Sequence, residues 1–372
     1  MRTGDIAAFR STIAGAPDDF RARQIEWFSR MRDLPLRRYS LRLRADTYTD
    51  LAPALRGRPG GDEVRVVPVT EHVALGRYDR KPSAEQLILT VVRRGAGWSI
   101  VEDSDLADIG LFSSRNVWDF AAVDLLQRPD ALVLHHDDRA TAERIADETT
   151  QAAARVRDGW PLGWRGDVIV VIPRDAADLG RIFETTVDLS PFVAFAASSV
   201  RRHHGSYRLT GARVYLQPDT YFANSEAYQR DTLGHELLHI ATRDLAGYFT
   251  TSWLEEGVAQ VYGEVATPPD ETLAQQVRAG TFRGRLPEAH EFFLGGSEQI
   301  RLSYQASASF VRYLLDRFGQ DAPARFYARL GEQSPVSFGT GGYHLNRASR
   351  AVFGIAFDRL EQAWVRRLEQ RY

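Results

Sequence analysis

The chain has 372 residues, 44% of them hydrophobic, which gives room for two domains or one large one with real cores. Its net charge of -2 makes no electrostatic case for nucleic acid or an anionic membrane, and Lys81 is the only lysine among 47 basic residues, which reads as a compositional bias. With no cysteine there are neither disulfides nor thiolate metal ligands, so redox chemistry leaves the compartment open.

No apolar run approaches the roughly 18 residues needed to span a bilayer; residues 191–200 come nearest and are broken by serines. Asp5, Arg10, Asp18 and Asp19 interrupt what would be the apolar core of a signal peptide. The expectation is a chain with no membrane-spanning segment, cytoplasmic by default, or extracytoplasmic if a leader or anchor was trimmed.

In chain order, residues 3–34 read as two helices, with Ile25, Phe28 and Met31 recurring every three residues and Ala16-Pro17-Asp18-Asp19 separating the pair. Residues 38–47, 63–75, 86–93 and 97–102 favour strands, set off by turns at Pro59-Gly60-Gly61 and Arg94-Gly95-Ala96-Gly97. Helices followed by an antiparallel sheet make an α+β unit. In element order, and in the late strand Gly97-Trp98-Ser99-Ile100-Val101-Glu102, this opening resembles the nuclear transport factor two-like cone fold. The resemblance implies a pocket, although Trp27, Phe28, Trp98 and Trp118 read first as core aromatics.

Leu126-Gln127-Arg128-Pro129-Asp130 breaks the pattern, and a domain boundary is expected there, dividing the chain into 1–128 and 129–372. Residues 131–136 then read as a strand, 140–156 as an amphipathic helix, 167–172 as a buried strand, 175–183 as a helix and 211–216 as a strand. His135-His136 before Asp137-Asp138 has a metal-like composition, yet neighbours on a strand face opposite ways and do not chelate together easily.

The run from Glu226 to Arg243 reads as one helix containing His235-Glu236-Leu237-Leu238-His239. Residues four apart on a helix differ by only about 40° in direction, so both imidazoles can reach one Zn²⁺. Glu236 lies round the same helix, placed to hold an attacking water without ligating the metal. A second helical run, 252–262, contains the adjacent carboxylates Glu255 and Glu256. A third histidine of the metzincin type is excluded, because Leu245 stands at the position it requires.

This pairing of helices resembles the gluzincins. Trp253-Leu254-Glu255-Glu256-Gly257-Val258-Ala259 looks like the W-L-x-E-G-x-A stretch of their aminopeptidase-type branch, in which the glutamate before the glycine is the third ligand. The resemblance therefore selects Glu256 as a ligand and leaves Glu255 as a solvated surface charge. It also implies that the 211–216 strand is a sheet edge that pairs with substrate. Val214 stands where the aminopeptidases carry the glutamate that captures a free amino terminus, so aminopeptidase specificity is unsupported.

Further on, Thr267-Pro268-Pro269-Asp270 reads as a loop, His290 as a surface histidine and 300–318 as a helix with Leu302, Ala306, Phe310, Tyr313 and Leu314 along its apolar stripe. Tyr304, ahead of a small-residue segment, matches the tyrosine that stabilises the oxyanion in the resembled family, with Ser307 in place of the usual glycine. Residues 322–330, 345–353 and 357–371 read as helices, and Gly339-Thr340-Gly341-Gly342 as a flexible connection.

Taken together these features lead to an expected α+β protein: a cone-like N-terminal domain, then a peptidase MA-like domain with a small mixed sheet, active-site helices and a mostly helical C-terminal part. The expected cofactor is Zn²⁺ held by His235, His239 and Glu256, with Glu236 as general base, Tyr304 as oxyanion donor and a peptide or protein as substrate. The rivals are a non-catalytic zinc-containing binding protein and a zinc hydrolase of a non-peptide amide or ester.

Overall fold

A computed structural model describes residues 5–44, 63–136, 138–184, 189, 192–203, 206–265, 270–333 and 341–372. The features expected at 45–47, 59–61, 137, 267–269 and 339–340 lie outside the described residues.

Asp5 caps α1 (Ile6–Thr12), its side chain accepting from the backbone N–H groups of Ala7 and Ala8. Pro17 opens α2 (Asp18–Asp33), which has Asp18 and Asp19 in its first turn and buries Phe20, Phe28 and Met31. An antiparallel sheet follows in simple sequence order: β1 (Leu36–Leu43), β2 (Glu63–Leu75), β3 (Glu85–Arg94) and β4 (Gly97–Glu102). Its register places Tyr39 opposite Val73 and Val66 opposite Thr90.

After the short helix α3 (Val117–Phe120) comes a second sheet, assembled from β5 (Asp124–Gln127), β6 (Ala131–His135), β7 (Val168–Ile172), β8 (Ala194–His203) and β9 (Ser206–Leu216) in the order β5-β6-β7-β9-β8. Helices α4 (Arg139–Gly159) and α5 (Ala176–Phe183) intervene in the chain. β5 runs antiparallel to β6, whereas β6–β7 and β7–β9 are parallel. Every residue of β6 and β7 is buried, as their unbroken apolar runs require of strands covered on both faces. The remainder is helical: α6 (Pro218–Tyr221), α7 (Glu226–Thr242), α8 (Ser252–Gly263), α9 (Glu271–Arg278), α10 (Gly296–Phe318), α11 (Ala322–Gly331), α12 (Gly341–Phe353) and α13 (Phe357–Arg371). The fold class is α+β, as the sequence pattern indicates.

The chain forms two compact units, one of Met1–Ala146, Asp167–Arg201 and Leu209–Ala223, the other of Asp147–Gly166, Arg202–Arg208 and Asn224–Tyr372. This corrects the boundary expected at 128/129. Pro129 sits in the turn of the β5–β6 hairpin, where the Arg128 N–H donates to the Ala131 carbonyl at 2.7 Å. Residues from both sides of that turn share one core, Met31, Val73 and Leu75 packing in the same cluster as Leu132, Leu134, Ile169 and Val171. A buried ion pair ties the same regions, Arg213 to Asp79 at 3.3 Å, with the two side chains 3% and 2% exposed. Gly211, at φ +63°, passes so close to Ser83 that an added Cβ would lie 2.5 Å from the serine Cβ.

The strand order corrects a second expectation. β9, which contains residues 211–216, lies between β7 and β8, so both of its edges are occupied and β8 is the strand at that side of the sheet. In the second unit, Trp253, Phe310, Phe326, Phe357 and Trp364 form an aromatic core, with Trp253 and Phe310 edge to face at 5.3 Å.

Candidate metal centre

Ser225 caps α7, its hydroxyl accepting from the Tyr228 N–H at 3.4 Å. The helix carries His235 and His239 one turn apart and buries Leu233, Gly234, Glu236, Leu237 and Leu238 around them. What brings α8 against this face is a pair of glycines. A Cβ built on Gly234 would overlap the Gly263 carbonyl, and one on Gly263 would overlap the Gly234 carbonyl, so only glycines allow the two backbones to meet. A second close crossing follows on α8, where a Cβ on Gly257 would lie 2.6 Å from the Ser307 carbonyl oxygen of α10. Glu256 and Tyr304 thus sit beside close backbone crossings that fix the helices bearing them.

The three expected ligands converge. His235 Nε2 lies 3.1 Å from Glu256 Oε2 and 3.2 Å from His239 Nε2, and His239 Nε2 lies 3.5 Å from the same Glu256 oxygen. Bonds of about 2.0–2.1 Å to a tetrahedral ion require donor atoms roughly 3.3–3.4 Å apart, so these three atoms fit one face of such a site. Their side chains are 11%, 14% and 19% exposed, which keeps the donors poorly solvated.

The opposite nitrogen of His235 is also engaged, Nδ1 lying 3.1 Å from Glu264 Oε1. A carboxylate there accepts a hydrogen bond from Nδ1–H, which favours that tautomer and leaves the Nε2 lone pair facing the other donors. Lone pairs from His235, His239 and Glu256 then point at a common position, an arrangement that a cation stabilises. Without one, burial pulls the His235 pKa down, but hydrogen bonds to Glu256 and Glu264 and the nearby carboxylate charges outweigh it and hold the imidazole well above its ordinary value. Burial likewise pushes Glu256 up, and the field of His239 with hydrogen bonds from both histidines carries it well below the usual carboxylate range. The His235, His239 and Glu256 donor set could hold a metal ion.

Two further groups stand at this centre. Glu236, 8% exposed, lies close enough for its charge to act on both His235 and Tyr304. Tyr304 packs edge to face on Phe292 at 5.3 Å, and its ring centroid is 6.2 Å from that of His235. Burial and the charges of Glu256 and Glu236 raise its pKa far above the ordinary value, so the hydroxyl stays protonated.

Glu255 differs from expectation. It is part-buried and accepts from the Tyr327 hydroxyl at 3.5 Å, with burial raising its pKa. Pointing about 100° away from Glu256 carries it towards α11 and not into solvent. His290 is on the surface as expected, 59% exposed beside Glu288. Glu264 is the side chain in contact with this centre that the sequence reading missed. The signal was Gly234: an interior helix glycine costs about 1 kcal/mol against alanine and so marks a close crossing, here the one that carries Glu264 to His235. No family model and no curated protein sequence matches this chain.

Proposed function

We propose that the chain is a zinc-dependent metallopeptidase of the gluzincin type, with His235, His239 and Glu256 as ligands. The observation that carries this is the convergence of three poorly solvated donor atoms at 3.1, 3.2 and 3.5 Å, with Glu264 Oε1 3.1 Å from the other ring nitrogen of His235. Two imidazoles and one carboxylate suit Zn²⁺, and a set of three protein ligands leaves a coordination position for chemistry. Bound zinc supplies Lewis acidity, making a water acidic near neutral pH and polarising a carbonyl.

The rest of the work falls to this chain's own groups. Glu236 is an acceptor on the same helix as the ligands, about 60–100° round from them; it orients the attacking water, takes its proton and passes it to the departing amine. The protonated Tyr304 hydroxyl is the available donor to the developing oxyanion. A purely structural metal site has no use for a buried carboxylate and a phenol placed beside it, which favours hydrolysis over the scaffold reading. At the other end of the chain, two helices against a four-stranded antiparallel sheet support the cone reading of the N-terminal region.

The test is hydrolysis of a peptide library by the zinc-loaded chain. Glu236→Gln is expected to keep zinc while turnover falls by about a hundredfold or more, as for loss of a general base. Tyr304→Phe is expected to keep zinc and melting temperature while turnover falls by roughly one to three orders of magnitude. Undiminished turnover in Glu236→Gln removes the mechanism; cleavage confined to esters or non-peptide amides replaces the peptidase with the other zinc hydrolase.

A further inference from the structure

The first unit contains a cavity of about 850 Å³, within the roughly 300–1,000 Å³ range of small-molecule sites. Its apolar wall is aromatic: Phe9 stacks on Phe28 at 4.6 Å and lies 5.9 Å from Trp27, which meets Tyr39 edge to face at 5.9 Å. The other wall is charged, and most of that charge is already paired. Arg115 holds Asp103 through two bonds of 2.8 and 3.0 Å, and Arg23 reaches Glu102 at 3.2 Å.

Two carboxyls on the wall have no such partner. Glu71 is 5% exposed and Asp119 is part-buried, and among the described residues no arginine or lysine forms an ion pair with either. Tyr39 lies close enough to Glu71 to act on its titration, and Asp119 accepts from the Trp27 indole N–H at 2.8 Å and the Asn116 N–H at 2.7 Å. The Ser40 hydroxyl on the same wall is buried with no hydrogen-bond partner among the described residues. Burial and the charge of Asp119 push Glu71 up to about 8, and burial pushes Asp119 up to about 6. A cation seated between the two carboxyls favours their ionised forms, whereas a neutral ligand or an anion does not.

We propose that this cavity binds an organic ammonium ion with an apolar body, its head between Glu71 and Asp119 and its body against Phe9, Trp27 and Tyr39. Carboxylates supply the ion pair, and ring faces attract the cationic head while burying the hydrocarbon. Seating the cation ionises Glu71 and releases its proton to solvent. The groups acting on that titration are Asp119, Tyr39, Glu85 and Arg115.

The experiment is calorimetric titration of the full chain with 2-phenylethylamine and octylamine, against 2-phenylethanol and 3-phenylpropionate as neutral and anionic counterparts. At least one amine is expected to bind with a Kd of about 0.1 mM or tighter, about tenfold or more ahead of the alcohol, with no binding of the acid. At pH 7, titrations in buffers of different ionisation enthalpy are expected to show proton release on amine binding, and amine affinity is expected to rise between pH 6 and about 8. Glu71→Gln, which keeps the side-chain shape, is expected to weaken the amine by about tenfold or more and abolish proton release. Glu236→Gln is expected to bind the amine as the parent does, so failure of the peptidase reading leaves this result intact. Failure of both amines, alcohol binding as tight as amine binding, or unchanged amine affinity and proton release in Glu71→Gln each overturn the proposal.

Discussion

Glu264 stands outside the three-donor set, yet its carboxylate lies 3.1 Å from His235 Nδ1, where it favours the tautomer that turns the Nε2 lone pair to the other donors. Partners of this kind typically account for 10–100-fold in metal affinity, because they fix the ring and raise its basicity. Glu264→Ala is therefore expected to weaken zinc binding by about that factor, with Glu264→Gln between the two because an amide oxygen still accepts the Nδ1 proton. Competition with a chromophoric chelator measures it, and parental affinity in Glu264→Ala would make the contact incidental. At this scale the sequence was readable wherever residues share one helix: His235, Glu236 and His239 follow from spacing alone. Glu256 and Tyr304 needed resemblance to a family pattern. Glu264 was hidden because its partner is 29 positions away and only the crossing of two helices brings them together.

That crossing belongs to the helices themselves. Gly234 and Gly263 each occupy the space that the other's Cβ would need, and their neighbours His235 and Glu264 are the pair in contact. Gly234→Ala is expected to push α7 from α8, destabilising by about 1–3 kcal/mol as overpacking does and lowering zinc affinity at the same time. Gly180→Ala serves as the control, since an added Cβ there meets nothing within 4 Å, and it is expected to be neutral or stabilising by up to about 1 kcal/mol. Melting curves and zinc titrations on the two variants decide it; a stable Gly234→Ala chain with parental zinc affinity would mean that the crossing tolerates separation. Helices and strands were legible as elements because periodicity and caps are local, as in α7 and the unbroken β6 and β7 runs. The place of β9 inside its sheet was not, because parallel neighbours are joined by long crossovers that leave no mark in the strand's own residues.

For the whole molecule, Pro129 beside charged residues reads equally as an interdomain joint or as a hairpin turn, and local composition does not separate the two. The core separates them. A chain beginning at residue 129 loses Met31, Val73, Leu75 and Trp118, leaving Leu132, Leu134, Ile169 and Val171 with only the later part of their cluster, Leu179, Ile182 and Tyr215. Full exposure of four such side chains would cost on the order of 6–12 kcal/mol, so even partial exposure is a sizeable share of the roughly 5–15 kcal/mol that holds a whole domain together. It also removes β5, the hydrogen-bonded partner of β6, and Asp79, leaving Arg213 buried without its carboxylate. The metal centre is not touched by the cut, since its ligands and Trp160, which packs on Tyr262 at 5.3 Å, all lie in the second unit. In the 129–372 fragment, β6 and β7 are therefore expected to lose amide-exchange protection and the sheet to become protease-sensitive, whereas the intact chain protects both strands. Hydrogen exchange read by mass spectrometry on fragment and full chain makes the comparison directly. Full protection of 131–135 and 168–172 in the fragment would show that the sheet folds without the N-terminal helices and strands, and that the shared cluster contributes little to its stability.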